Sequence, residues 1–192
     1  MQREIRAGIS TEIRTDDAGV HVSGYAAIFN EEANIAGLFK EKIAPGAFSD
    51  AIKRDDVVFL IEHKGLPLAR TRSGTLKLSQ DERGLRMETI LDPQDPDVKS
   101  IVGKMQRGDL NKMSFGFFPD LQDWDETQDP PLRTVKRASL TDVSIVSFPA
   151  YDGTDIALRN LEKYRKQKNF HAANKRLRMR MNLAVKKREN GI

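Results

Sequence analysis

Lys112-Met113-Ser114-Phe115-Gly116-Phe117-Phe118 is the stretch that decides how the rest of the chain is read. Met113, Phe115 and Phe117 alternate with Ser114 and Gly116, the period of a strand with one apolar face and small polar residues on the other. On this reading the Ser114/Gly116 face is open, and a hydroxyl beside a glycine there can meet a close-lying substrate. The competing reading is a strand serine facing water, and the stretch taken alone favours that second reading; its surroundings change the balance.

Working outward, Asp95-Pro96-Asp97 supplies an N-cap acid, a proline at the first helical position and a second acid in the first turn. Val98, Ile101, Val102 and Met105 form an apolar stripe and Gly108 is a stop, so a helix of about three turns delivers the chain into the Ser114 strand. Before it, Leu76 and Leu78, a turn at Asp81-Glu82-Arg83-Gly84, and Leu85, Met87, Thr89 and Leu91 read as a hairpin. Val57 to Ile61 is a continuous apolar run, the pattern of a strand buried on both faces. His63 follows its end, and Gly65 and Pro67 predict a loop. Farther back, Ile43 to Phe48 opens a short helix whose stripe is Ala47, Phe48, Ala51 and Ile52. Residues 30–42 read as loop, with Ile35, Leu38 and Phe39 packing over the body. Val20 to Phe29 reads as a strand with Gly24 at a bulge, residues 15–19 as a turn, and Ile5 to Ile13 as weakly patterned. Downstream, Asp123 to Pro131 is an acidic surface loop. Two strands are expected between Arg133 and Phe148, the second from Leu140 to Val146. Pro149 to Asp152 ends it, and Gly153-Thr154-Asp155 closes the body.

The 192 residues, 39% of them hydrophobic, suit one domain with a single core and an extension. With no cysteine there is neither a disulfide framework nor a thiol nucleophile, which fits a reducing compartment. No stretch approaches the ~18 apolar residues that span a bilayer, and the charged start lacks the apolar core of a signal peptide, so the expectation is a soluble intracellular protein without membrane contact. The net charge of +4 is unevenly spread: residues 159–192 hold twelve of the 32 Lys/Arg but only Glu162 and Glu189 of the 28 acids. The domain boundary is therefore drawn between a body, 1–158, and a basic extension, 159–192. Ala157, Leu161, Tyr164, Leu177, Met181, Ala184 and Val185 recur in this region at helical spacing, predicting a basic amphipathic helix or a tail that orders on a partner. Solvated charge, a protein partner and nucleic acid are its three readings, and the absence of a recognisable nucleic-acid motif ranks the last lowest.

No Gly-rich phosphate loop, no HExxH and no cluster of His and acids at ligand spacing is present, and the three histidines, 21, 63 and 171, are scattered, so neither metal nor cofactor is expected. Serine nucleophiles need a base within hydrogen-bond reach, and the base needs a third group to hold its tautomer. Ser114 is the candidate nucleophile and His63, at the rim of a rigid strand, the candidate base. Asp142 is the preferred orienter because it interrupts an apolar strand, where an unpaired acid is costly. The alternatives are an outward-facing Asp142 or one paired with Arg70, and His21 stands as the other candidate third member. Glu62 is a poorer orienter if residues 62 and 63 alternate across a strand. Backbone N–H groups near Ser114 and Gly116 are the first candidates for an oxyanion hole.

Gly24-Tyr25-Ala26-Ala27-Ile28-Phe29-Asn30, Ile43-Ala44-Pro45-Gly46-Ala47-Phe48, His63 with Pro67-Leu68-Ala69-Arg70-Thr71, Arg107-Gly108-Asp109, Met113 to Phe117, and Asp142-Val143-Ser144-Ile145-Val146 occur in that order. Together they resemble the prohead, or capsid maturation, serine proteases of tailed phages, over roughly residues 20–155. The resemblance implies an α+β, mainly β fold similar to the herpesvirus maturation proteases, a β-barrel flanked by helices. It places the catalytic His on His63, the nucleophile on Ser114 and the acid on Asp142, where many relatives carry Glu; Ala69 stands where Gly is common. It implies no cofactor, a location inside the immature capsid in the host bacterial cytoplasm, the major capsid protein and its scaffold segment as partners, self-association and self-cleavage. The rival function is a non-catalytic assembly protein with a basic partner-binding tail.

Overall fold

The computed structural model describes residues 3–148 and, beyond them, 159, 161–166, 168–170, 174–176 and 178–179, which are helical. The chain divides into two compact units between Thr154 and Asp155. In the second, Leu161 is buried, Tyr164 half-buried and Glu162, Lys163, Arg165 and Lys166 exposed, which fits helical spacing of the apolar residues. The expected strand end at Pro149 to Asp152, the closing Gly153-Thr154-Asp155, Ala157, His171, Leu177, Met181, Ala184 and Val185 fall outside the described residues. Among the described residues no helix is long and apolar enough to cross a membrane.

The first unit is α+β and mostly β, as the resemblance implied. Among the described residues its ten strands are β1 (Glu4–Asp16), β2 (Gly19–Ile28), β3 (Ala33–Ile35), β4 (Phe39–Ile43), β5 (Val58–Ile61), β6 (Lys64–Arg70), β7 (Leu76–Gln80), β8 (Gly84–Leu91), β9 (Lys112–Asp125) and β10 (Leu132–Val146). They follow the order β3-β4-β10-β9-β1-β2-β8-β7, with β5 paired to a second part of β10 and β6 to β5. The path has two ends, so pairing does not close the sheet into the barrel that the resemblance implied. The nearest approach to closure is a parallel bridge between Phe29 and Ile43, where Asn30 N–H donates to the Ile43 carbonyl at 2.9 Å.

The strongest local signals appear as elements. The helix α2 (Pro96–Gln106) begins at Asp95, whose carboxylate accepts from Asp97 N–H, and buries Val98, Ile101 and Met105. Gly108 follows with φ of 83°, a left-handed conformation suited to glycine. The β7–β8 hairpin forms in antiparallel register from Leu76↔Thr89 to Gln80↔Leu85.

Elsewhere the tertiary structure overrides the local pattern. The weakly patterned Ile5 to Ile13 lies within the 13-residue β1, which pairs with β9 through its first half and β2 through its second. The bulge in β2 falls between Tyr25 and Ala27, not at Gly24. Residues 33–35 and 39–43 are strands, because Ile35 and Phe39 are buried on opposite sides of a turn. The helix expected from Ile43 starts only at α1 (Ala51–Arg54), since Gly46, at φ of 81°, first turns the chain. Gly65 and Pro67 lie in β6, which pairs only with β5; an edge strand tolerates a residue that cannot donate to a ladder. β5 is buried fully only at Phe59 rather than on both faces. β9 extends through Asp125 into the expected acidic loop, and the two strands expected after it are one, β10, bent by register shifts near Lys136 and Thr141. These bends let β10 run parallel to β4 at one end and to β5 at the other.

Candidate active site

β9 and β10 form the floor of the site. Ser114 lies directly opposite Ser144, and Gly116 opposite Asp142. Met113, Phe115 and Phe117 point the other way into the core, where Phe115 packs on Phe48 and Phe117 with ring centroids 5.6 and 5.1 Å apart. The alternation expected of this strand is therefore present, but its second face is not open: Ser114 has no solvent exposure. Other polar groups close over it.

His63 reaches this face from a tight turn. Ile61 pairs with Lys64, so Glu62 and His63 form a two-residue connection between β5 and β6, with φ of 50° and 58°. Positive φ at both positions is the geometry hairpins favour, yet it is normally met by Asn or Gly and is costly for other residues. The turn is fastened to β10: Glu62 N–H donates to the Ile145 carbonyl at 3.0 Å, and the Glu62 carboxylate accepts from the backbone and hydroxyl of Ser147 at 2.7 and 2.6 Å. Glu62 is excluded from orienting His63 by this engagement, rather than by strand alternation. Such strain held by surrounding structure is characteristic of functional sites.

The structure brings together the three residues singled out by the sequence. His63 Nε2 is 2.7 Å from Ser114 Oγ, and His63 Nδ1 is 2.5 Å from Asp142 Oδ2. Ser114 Oγ also lies 2.8 Å from the Arg6 carbonyl, so the single hydroxyl hydrogen has two acceptors within reach. Asp142 is neither outward-facing nor paired with Arg70, which binds Asp56 instead. His21 is elsewhere, on β2, with Nε2 2.9 Å from Asp16 Oδ1 in an exposed pair.

Asp142 is the most heavily bonded group of the set. Oδ2 accepts from Ser144 at 2.9 Å in addition to His63, while Oδ1 accepts from Thr141 Oγ1 at 2.8 Å and from the Arg3 guanidinium. Burial pushes this carboxyl up, but the His63 hydrogen bond and charge, the Thr141 hydroxyl and the Arg3 charge together bring it below its ordinary range. Thr141 is the extra residue where the register shifts between Leu140 and Asp142, a bulge that re-aims side chains. Gly116 provides the space. A Cβ there would come within 2.6 Å of Arg3 Nε and Thr141 Oγ1, and closer still to Asp142 Oδ1. Its missing side chain thus makes room for the acid, where the sequence pointed to a passage for substrate.

Arg3, Thr141 and Ser144 were not singled out from the sequence as site residues. Ser144 carried a usable signal, since residues two apart in a strand share a face and Asp142 was already a candidate. Arg3 carried none. β9 is paired on both edges at Ser114 and Gly116, to β10 and to β1, which holds their N–H groups in the sheet and not toward an incoming carbonyl. A groove of about 770 Å³ lined in part by Ile13, His21, Ser23, Lys77 and Ile90 includes none of the three residues; without a nucleophile–base contact it is the weaker candidate for chemistry.

The chain matches the family model for the caudovirus prohead serine proteases over residues 9–167. It belongs to that family. It is 31% identical over 139 residues to the prohead protease of Enterobacteria phage HK97, an alignment covering 70% of this chain and 57% of that protein, so the chain spans a little over half the length of this relative. In fold it is similar to the bacteriophage T4 capsid assembly protease, gp21, with a TM-score of 0.52 and 15% identity over 77% of this chain and 98% of the other.

Proposed function

We propose that this family member is a serine endopeptidase acting in phage capsid maturation, with Ser114 as nucleophile, His63 as base and Asp142 as orienter. The observation that carries this reading is the unbroken relay from Ser114 Oγ through the imidazole to Asp142, with both links within hydrogen-bond distance. For attack, the hydroxyl hydrogen leaves its alternative acceptor, the Arg6 carbonyl, for His63 Nε2. The Oγ–carbonyl carbon bond then forms, the C–N bond breaks, and His63 returns the proton to the departing amine. Water, deprotonated by the same nitrogen, then bonds to the acyl carbon, the Oγ–carbon bond breaks, and His63 returns the proton to Ser114 Oγ as the acid product leaves. No step calls on a cofactor, and among the described residues no group of three or more His, Cys, Asp or Glu side chains is placed to hold a metal.

The substrates proposed are the scaffold or the scaffolding segment of the major capsid protein, and this chain itself, inside the immature capsid in the host cell. Family membership and the similarity to two phage proteases support that assignment. The body, 1–158, is the proposed protease domain, and the basic extension, 159–192, the proposed docking or self-processed segment. Mass spectrometry of the chain co-expressed with its capsid protein tests the proposal. Discrete cleavage products with the natural chain, and none with Ser114→Ala, are expected; identical products from both would remove Ser114 from the mechanism and leave the non-catalytic assembly role.

A further inference from the structure

We propose that Arg3 is a positioning residue of this site, gripping Asp142 so that the acid faces His63 in a single orientation; the inference rests on the serine-nucleophile reading above. Arg3 arrives from the residue before β1 and lies ahead of the residues matched to the family. Its fork makes two connected contacts. Nη2 donates directly to Asp142 Oδ1, and Nε donates at 3.0 Å to Thr141 Oγ1, whose own hydrogen goes to the same Oδ1 at 2.8 Å.

The geometry divides labour between the two carboxylate oxygens. Oδ2 faces the imidazole and Ser144, and Oδ1 faces Thr141 and Arg3. A carboxylate has about four acceptor positions, so this one is saturated. When His63 is neutral, Arg3 is the full positive charge bonded to an acid whose side chain is only 2% exposed. Without it the carboxylate loses its charge partner, a costly state for a buried anion, and is free to turn its second oxygen toward the ring. Arg3 Nη2 also lies 3.4 Å from His63 Nδ1, so the guanidinium borders both partners of the Nδ1–Oδ2 contact. Gly116 supplies the complementary half of the design, because a side chain there would occupy the space that Arg3 Nε and Asp142 Oδ1 now fill. A guanidinium suits this role better than an ammonium, since its two donors meet one acid directly and through a hydroxyl.

The test is the rate at which a fluorophosphonate labels Ser114 in the full chain, resolved into maximal rate and half-saturating concentration. It needs no knowledge of the cleavage sequence. Arg3→Gln is expected to lower the maximal rate about tenfold with half-saturation unchanged. Arg3→Lys, which keeps the charge but not the fork, is expected to fall between, and it carries the test if the Gln variant does not fold. In an Asp142→Asn background the Gln substitution is expected to have no further effect. Labelling of Arg3→Gln at the natural rate, or the same slowing with and without Asp142, would overturn the role of Arg3 alone. Failure of the natural chain to label at Ser114 would overturn the nucleophile assignment, and this inference with it.

Discussion

Two polar clusters, one buried and one partly buried, flank the first strand, and they are built to opposite ends. On one face of β1, Glu4 and Arg6 join Glu41 of β4 and Arg133 of β10, all buried, with Arg133 donating to Glu4 at 2.7 and 2.8 Å and to Glu41 at 2.8 Å, and Arg6 reaching both acids. On the other side, Arg3 meets Asp142, His63 and, through them, Ser114. The first set holds two cations and two anions, each carboxylate held by both guanidiniums, so no proton has reason to move. Burial opposes the charge on Arg133, yet Glu41 and Glu4 hold its pKa above the ordinary value. The second set pairs one cation with one anion and adds an imidazole and a hydroxyl whose hydrogen has two acceptors within reach. What sets the second cluster apart from the first is thus an unfilled choice of proton position, at a hydroxyl with two acceptors within reach.

Asp142→Asn attacks the reactive cluster at its centre, and the largest effect is expected there: a fall in turnover of about 10⁴ with the fold intact, because the amide no longer holds the imidazole tautomer. Steady-state turnover on the proposed capsid substrate, or the labelling rate, measures it. Acid titration of stability sharpens the same point. The folded Asp142 has a lowered pKa, so its contribution is complete above the unfolded value of about 3.9 and is lost as pH falls through the lower folded value. The stability difference between the natural chain and the Asn variant should therefore be constant near neutrality and shrink below about pH 4.

Arg133→Met attacks the structural cluster instead. Leaving Glu4 and Glu41 with Arg6 alone should cost about 3–5 kcal/mol in urea unfolding, with the labelling rate per folded molecule far less affected than in Asp142→Asn. If Arg133→Met slowed labelling as much as Asp142→Asn while remaining folded, the two clusters would not be functionally separate. The smallest effect belongs to His21→Ala. This residue pairs with an exposed acid, so activity should stay within about twofold of the natural chain; a loss comparable to that of Asp142→Asn would return His21 to the mechanism.

The legibility of these features follows their range. Ser114, His63 and Asp142 were all candidates, because a histidine at a strand end and an acid inside an apolar run are local anomalies. Their meeting was supported by the ordered set of family-like segments and not by any spacing between them. The N-terminal segment was nearly illegible. Glu4 and Arg6 have the alternation of a strand, but in charged residues, which read as solvent-facing unless the opposing strand is known. A glycine beside Ser114 signals a need for close approach, and the neighbours that approach Gly116 are Asp142, Arg3 and Thr141. The face it serves is filled by this chain's own acid.

What the sequence determined alone was therefore local: the period of Met113 to Phe117, the capped helix after Asp95, the hairpin around Asp81 to Gly84, and the residues from which a site had to be drawn. These rest on contacts between residues two to four apart, which the chain makes wherever it goes. The tertiary structure decided that β1 divides its pairing between β9 and β2, that the Ser114 face is covered, that a strained turn at Glu62-His63 aims the imidazole, and that Arg3 completes the hold on Asp142. Each depends on which strand lies opposite, and in a sheet that partner is set by burial and register across the whole domain, through contacts the local pattern does not encode.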